Sequence, residues 1–147
     1  MISVPRDVLG RDVDLGRVRV TAEMIAAYRA AVGDTAVPGK ENEAPPTFCL
    51  ALRRGMTPAI ELPPHLFGVY GGHDLELHRP IRAGEVYHIS GNISDVYEKM
   101  GRSGVLTVVV RAALIRDAVG RLAVRIVERQ IIRRRPESGD SAGTVVA

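Results

Sequence analysis

From His73 to Arg135 the sequence is written almost entirely in strands. "HDLELHRPI" opens the block. "EVYHISGNISDVYEKM" follows, with Tyr87, Ile89, Ile93 and Tyr97 on one parity. "GVLTVVVRAALIRD" is apolar on both parities, which suits a strand buried on both faces. In "GRLAVRIVERQIIRRR", Leu122, Val124 and Ile126 alternate with Arg121, Arg125 and Arg129, the period of a half-solvated strand. "MGRSG" and "DAVG" supply the intervening turns, so the block reads as a long antiparallel meander. A sheet of that size has to bury one face against something else.

The covering material lies upstream. In "VTAEMIAAYRAAVGD", residues 20–34, Met24, Ile25, Tyr28, Ala31 and Val32 recur on one helical face. Thr21 is placed to cap the helix and Glu23 sits in its first turn. Gly33 suits the left-handed position that ends it. "DLGRVRV" before it reads as a short strand. Residues 34–46, "DTAVPGKENEAPP", are loop, since Pro38, Gly39, Pro45 and Pro46 break any helix. "TFCLALRRGM" favours a short, largely buried helix with Thr47 as its cap. "TPAIELPPHLFGVYGG" is too rich in Pro and Gly for long regular structure. The sum is an α+β fold, a curved antiparallel sheet wrapped around a central helix. It forms one domain over residues 1–134, and residues 135–147 form a polar tail expected to be disordered.

Composition narrows the function classes. The 147 residues carry a net charge of +3, and every basic residue but Lys40 and Lys99 is Arg. That charge is scattered, and "ERQIIRRR" lacks the interleaved aromatics of a single-strand nucleic-acid surface, so no nucleic-acid partner is expected. Cys49 is the only cysteine, which excludes an internal disulfide. No signal-peptide layout and no run long enough to span a bilayer is present, so a cytoplasmic, non-membrane protein is expected.

"VTAEMIAAYRAAVGD", "APPTF", "GGHDLELHRPIRAGEVY" and "DVYEKMGRSG" occur in an order that resembles the MaoC-like hot-dog superfamily. The likeness is to its dehydratase N-terminal-domain branch, which includes subunits of (3R)-hydroxyacyl-ACP dehydratases and enoyl-CoA hydratases. It covers roughly residues 10–134. The resemblance implies a hot-dog fold: a bent antiparallel sheet around one long helix. It implies pairing through the sheets, either as a homodimer or as a heterodimer with a second hot-dog chain. The implied activity is addition or removal of water at the α,β position of a CoA or ACP thioester. The thioester carrier comes with the substrate, and no cofactor or metal is implied. Catalytic members carry Gly-Asp, then Asn-Pro, a hydrophobic residue and His, and the Asp and His divide acid and base work over one shared water. In this chain Asp34 follows Gly33, but the Asn-Pro is missing and Gly39 stands where His is expected. The segment between Gly-Asp and "PPTF" is also shorter by about a dozen residues, which would shorten the loop and the start of the central helix. The resemblance therefore implies a dyad-deficient subunit that relies on a catalytic partner. The alternative is a non-enzymatic module that holds acyl thioesters.

Asp34 and His73 are the candidate catalytic residues. Asp34 reads first as a capping or turn residue after a helix end and second as a catalytic or site-lining carboxylate. Strand parity sets His73, Leu75 and Leu77 on one face and Asp74, Glu76 and His78 on the other, which is poor geometry for a shared metal site. His73, on the apolar parity, is the histidine that reaches toward an acyl pocket. Gly71 and Gly72 are either a plain turn leading into the strand or the place where backbone N–H groups meet a thioester carbonyl. Together with Tyr70 and Arg82 they make up the candidate substrate-binding set. Arg79 and Arg82 are suited to a carrier phosphate or simply to solvent. His65 lies in a loop that could cover the pocket mouth, and Cys49 reads as a small core hydrophobe.

Overall fold

The computed structural model describes residues 8–53 and 60–136. In chain order these form β1 (Val13–Arg19), α1 (Ala22–Val32), α2 (Phe48–Leu52), β2 (Leu66–Leu77), β3 (Val86–Gly101), β4 (Gly104–Arg116) and β5 (Leu122–Arg134). All five strands join one sheet in the order β1-β3-β4-β5-β2, every pair antiparallel. The expected meander is β3-β4-β5. β2 returns to the free side of β5, and β1 covers the other edge on β3.

Helix α1 is delimited as its sequence dictates. The Thr21 hydroxyl accepts the Met24 N–H at 3.2 Å, and Gly33 ends the helix at φ 71°. Its apolar stripe is only half used. Ile25 is buried and Met24 and Tyr28 pack on the core, but Val32 is 54% exposed. Helix α2 is a five-residue segment. Thr47 makes no capping bond there, and its hydroxyl pairs instead with the Tyr28 hydroxyl at 2.7 Å. Phe48, Cys49 and Leu52 are buried beside Ile25 and against Tyr87, Ile89, Ala113, Ile115, Val124 and Ile126. Both helices therefore cover one face of the sheet, here called the inner face.

Cross-strand pairing puts directly opposed residues on a common face. Leu66, Tyr70, His73, Leu75 and Leu77 of β2 stand opposite Arg134, Gln130, Glu128, Ile126 and Val124 of β5, and all of these belong to the inner face. Asp74 and Glu76 lie on the outer face, paired with Arg129 at 2.9 Å and Arg125 at 3.2 Å.

Three expectations are corrected. The first strand of the block begins at Leu66, seven residues before His73, within the stretch expected to lack long regular structure. Gly71 and Gly72 are consequently no turn at its start. They form a bulge inside β2, where the register jumps between Tyr70 and His73. Tyr97 does not share a face with Tyr87, Ile89 and Ile93. A register shift between Ile93 and Asp95 turns Val96 inward, to pack with Ile93, Val109 and Ile132, and leaves Tyr97 41% exposed. Residues 137–147, which make up most of the expected tail, and residues 1–7 of the expected domain lie outside the described residues.

Candidate functional site

The predicted site residues fall into two separate groups. The first is built on the loop between α1 and α2. Asp34 is ion-paired with Arg29, and Arg29 also donates to the Glu43 carbonyl. The Glu43 carboxylate in turn accepts from Arg82 at 3.1 Å. Backbone bonds from Ala44 to Ile81 (2.7 Å) and from Ala83 to Asn42 (2.9 Å) stitch this loop to the β2–β3 connection. Asp34 and Arg82, 48 positions apart, thus meet in one network through Arg29 and Glu43. Arg29 Nε is buried in it without a partner.

Gly39 occupies the position where the resemblance implies the second member of the catalytic pair. Its φ is +85°, a backbone conformation that a side chain rarely adopts, and its N–H donates to Glu41 at 3.1 Å. The loop is shaped around a glycine, and position 39 offers no side chain to share a water with Asp34.

The second group lies on β2. Tyr70 and His73 lean on each other at 5.8 Å between ring centroids, on the inner face and open to solvent. Gly72 adopts φ +109°, and a Cβ on Gly71 would meet Ile131 and the Arg129 carbonyl at 3.0 and 3.1 Å. The two glycines let the bulge form and let β2 approach β5 closely. Among the described residues, no hydrogen bond or ion pair joins this group to Asp34.

A cleft of about 350 Å³ lies between the 43–46 loop and the end of β2. Leu77, Val124 and Ile81 form its floor, Pro45 and Pro46 one wall, and Glu43, His78 and Arg79 its polar rim. Glu43 and His78 escape sequence reasoning. Glu43 sits in a loop whose pairing with Ile81–Ala83 no local pattern announces, and strand parity alone puts His78 on the solvent face. Two inner-face rows further along the sheet, Glu128 pairs with Arg53 at the end of α2, and the buried Arg111 stands opposite Glu128. That charged row faces the core beside His73, and sequence alternation alone gives no sign of it.

The remaining titratable groups support structure. Burial pushes the Cys49 thiol up, and its Sγ donates to the Pro46 carbonyl at 3.2 Å, so it stays protonated and inert as a nucleophile. Burial also pushes Tyr87 up to about 12. Its hydroxyl accepts the Arg82 N–H at 2.8 Å and donates to Glu85 at 2.7 Å, fixing the β2–β3 connection beside the cleft. His65 is exposed, and its carbonyl receives the Arg135 N–H at 2.8 Å. Among the described residues, no three His, Cys, Asp or Glu side chains converge as metal ligands, and no helix is long and apolar enough to cross a membrane.

A single antiparallel sheet with two helices on its inner face and a loop-walled cleft at one end is the architecture of a hot-dog domain. Residues 7–126 match the model of the FAS1-like, dehydratase domain region family, and the chain belongs to that family. Solved structures similar in fold include the HadBC complex, a 3R-hydroxyacyl-ACP dehydratase from Mycobacterium tuberculosis. It is 19% identical, covers 87% of this chain and 99% of that one, and has a TM-score of 0.64. The R-hydratase PhaJ1 from Pseudomonas aeruginosa is 15% identical, with 95% and 92% covered and a TM-score of 0.62. A MaoC-like dehydratase from Rhodospirillum rubrum is 19% identical, with 87% and 94% covered and a TM-score of 0.60. No curated protein matches the sequence.

Proposed function

We propose that this chain is the substrate-holding subunit of a hydratase or dehydratase that acts on CoA or ACP thioesters, paired with a second hot-dog chain that carries the acid–base dyad. One observation carries the reading. In a chain of a dehydratase family, the loop that should present Asp and His together presents Asp34 bound to Arg29 and a left-handed Gly39. Removing or returning a proton at the α carbon needs an acid–base group aimed at it, and the Asp34 carboxylate is already engaged by Arg29. The apolar cleft floored by Leu77, Val124 and Ile81 suits an acyl chain. The HadBC relative is itself a complex, which fits a function divided between chains. If the chain works alone as a homodimer, Asp34 and His73 are the first residues to test.

The cleft is tested by binding. Leu77 is 48% exposed on the cleft floor, so Leu77→Glu alters the site without emptying the core. Isothermal titration with butyryl-CoA is expected to show about a tenfold or greater loss of affinity, the scale of an acyl chain denied its apolar contact. Unchanged affinity for both butyryl-CoA and CoA would remove the cleft from the acyl path.

A further inference from the structure

Pairing between β4 and β5 stops at Thr107 and Ile132, while β3 and β4 stay paired for three rows more, Lys99–Leu106, Met100–Val105 and Gly101–Gly104. The β3–β4 hairpin therefore runs on past its last row on β5. Its turn, at Arg102 and Ser103, lies beside the chain that leaves β5 through Arg133, Arg134 and Arg135. We propose that this end of the molecule docks on an anionic lipid surface, with the hairpin tip entering the headgroup region. The contact is peripheral and needs no spanning segment. Among the described residues, no helix is long and apolar enough to be one. The inference does not depend on the proposed function.

Charge supplies the first argument. Lys99, Arg102, Arg133, Arg134 and Arg135 are all exposed at this end, and Glu98 is the one carboxylate on the same two segments. Arg29, Arg53, Arg82, Arg121, Arg125 and Arg129 each have a carboxylate partner. Among the described residues, no ion pair reaches the five cations of this end. Arg133 donates to the Ser103 hydroxyl. Arg135 donates to the Pro64 carbonyl at 2.9 Å and lies 5.7 Å over the Phe67 ring. These partners are neutral and leave the positive charge uncompensated. Glu137 and Asp140 follow in the sequence, outside the described residues, and even counted with Glu98 they do not match the five cations. Like charges crowded at one end repel, and a negatively charged leaflet relieves that repulsion.

Exposed apolar surface supplies the second. Met100 and Val105 stand directly opposite each other next to the turn, 76% and 54% exposed. Burying such a pair at the boundary of headgroups and acyl chains removes its apolar area from water. Lys99 and Arg102 flank the pair, and side chains of that length lay their stems along apolar surface while their charged heads reach the phosphates. Cations around an aliphatic tip thus match both layers of an anionic leaflet. A nucleic-acid strand would find the cations without rings to stack on beside Met100 and Val105. Tyr97 stands on the opposite face of the hairpin, and Phe67 lies under Arg135. Two isolated aliphatic side chains also fall short of the broad apolar centre of a protein interface.

The test is co-sedimentation of the full chain with two kinds of vesicle, phosphatidylcholine alone and an equal mixture of phosphatidylcholine and phosphatidylglycerol. Two variants are compared with the parent: Arg102→Gln/Arg133→Gln/Arg134→Gln, and Met100→Ser/Val105→Ser. All five side chains are exposed, and a thermal melt checks that the fold is kept. The parent is expected to sediment with the mixed vesicles and not with phosphatidylcholine, and to be released as salt is raised. Each cation near such a surface contributes roughly fivefold to partitioning, so the arginine variant is expected to lose about tenfold or more. The Met100→Ser/Val105→Ser variant is expected to lose severalfold while keeping the salt dependence of the parent. Failure to sediment with the mixed vesicles, or equal sedimentation with both kinds, would overturn the proposal. Loss in the arginine variant with none in the Met100→Ser/Val105→Ser variant would overturn the docked tip, leaving charge adsorption only. A random-sequence oligonucleotide that strips the parent from the vesicles and binds it with a steep salt dependence would overturn it in favour of a nucleic-acid surface.

Discussion

Tyr87 shows how one side chain ties the core to the site. It is almost fully buried, and its hydroxyl bridges the Arg82 N–H and the Glu85 carboxylate. Because its folded-state value is raised to about 12 from an ordinary 10, the folded chain holds this proton more tightly than the unfolded chain does. That contribution to stability is complete below pH 10 and is lost as pH rises toward 12. Tyr87→Phe leaves the Arg82 N–H and the Glu85 carboxylate without this partner, and is expected to lower stability near neutral pH by about 1 kcal/mol. It is also expected to abolish the part of the alkaline unfolding that tracks tyrosinate formation. Urea titrations of both proteins at pH 8 and at high pH, with absorbance following the phenolate, check both effects. At this scale Asp34 and the absent histidine are legible in sequence because they occupy motif positions. Glu43, which links Asp34's partner Arg29 to Arg82, is not, because its place depends on a loop pairing across some forty residues.

Among the elements, β2 differs most from what its residues suggest. Gly68, Gly71 and Gly72 in a short apolar run just after Pro63 and Pro64 look like irregular chain, yet the segment is a strand because β5 offers a long free edge to pair with. Pairing with a partner outweighs weak local preference. The Gly71–Gly72 bulge absorbs the misfit and decides which residues beyond it face the core. In β3 the shift near Ser94 does the same, moving Val96 inward and Tyr97 outward. A period-2 reading carried straight through such a point assigns every later residue to the wrong face. Gly72 tests the role of the bulge. Its φ is +109°, and no atom lies within 4 Å of where a Cβ would sit, so Gly72→Ala suffers backbone strain and no clash. It is expected to cost about 1–3 kcal/mol in chemical denaturation.

For the molecule as a whole, the α+β class and the family are legible because antiparallel strands with polar turns leave a plain pattern and because the motifs come in a fixed order. The strand order and the linear layout on β2 are not, since both depend on which distant edges meet. The layout places an apolar cleft at one end of an exposed strand face, the Tyr70–His73 pair in the middle and an arginine cluster at the other end. On the proposed reading, the chain lacks a complete acid–base pair because Gly39 stands where a histidine is expected, and catalysis requires a second chain. That requirement is tested most directly by the rate of crotonyl-CoA hydration, measured for this chain alone, for a hot-dog partner that carries the full Asp and His pattern, and for the two mixed. The expected results are background turnover by this chain alone, a rate for the mixture above that of the partner by itself, and little change in that rate on Asp34→Asn. Strong hydration by this chain alone, abolished by Asp34→Asn, would contradict the requirement.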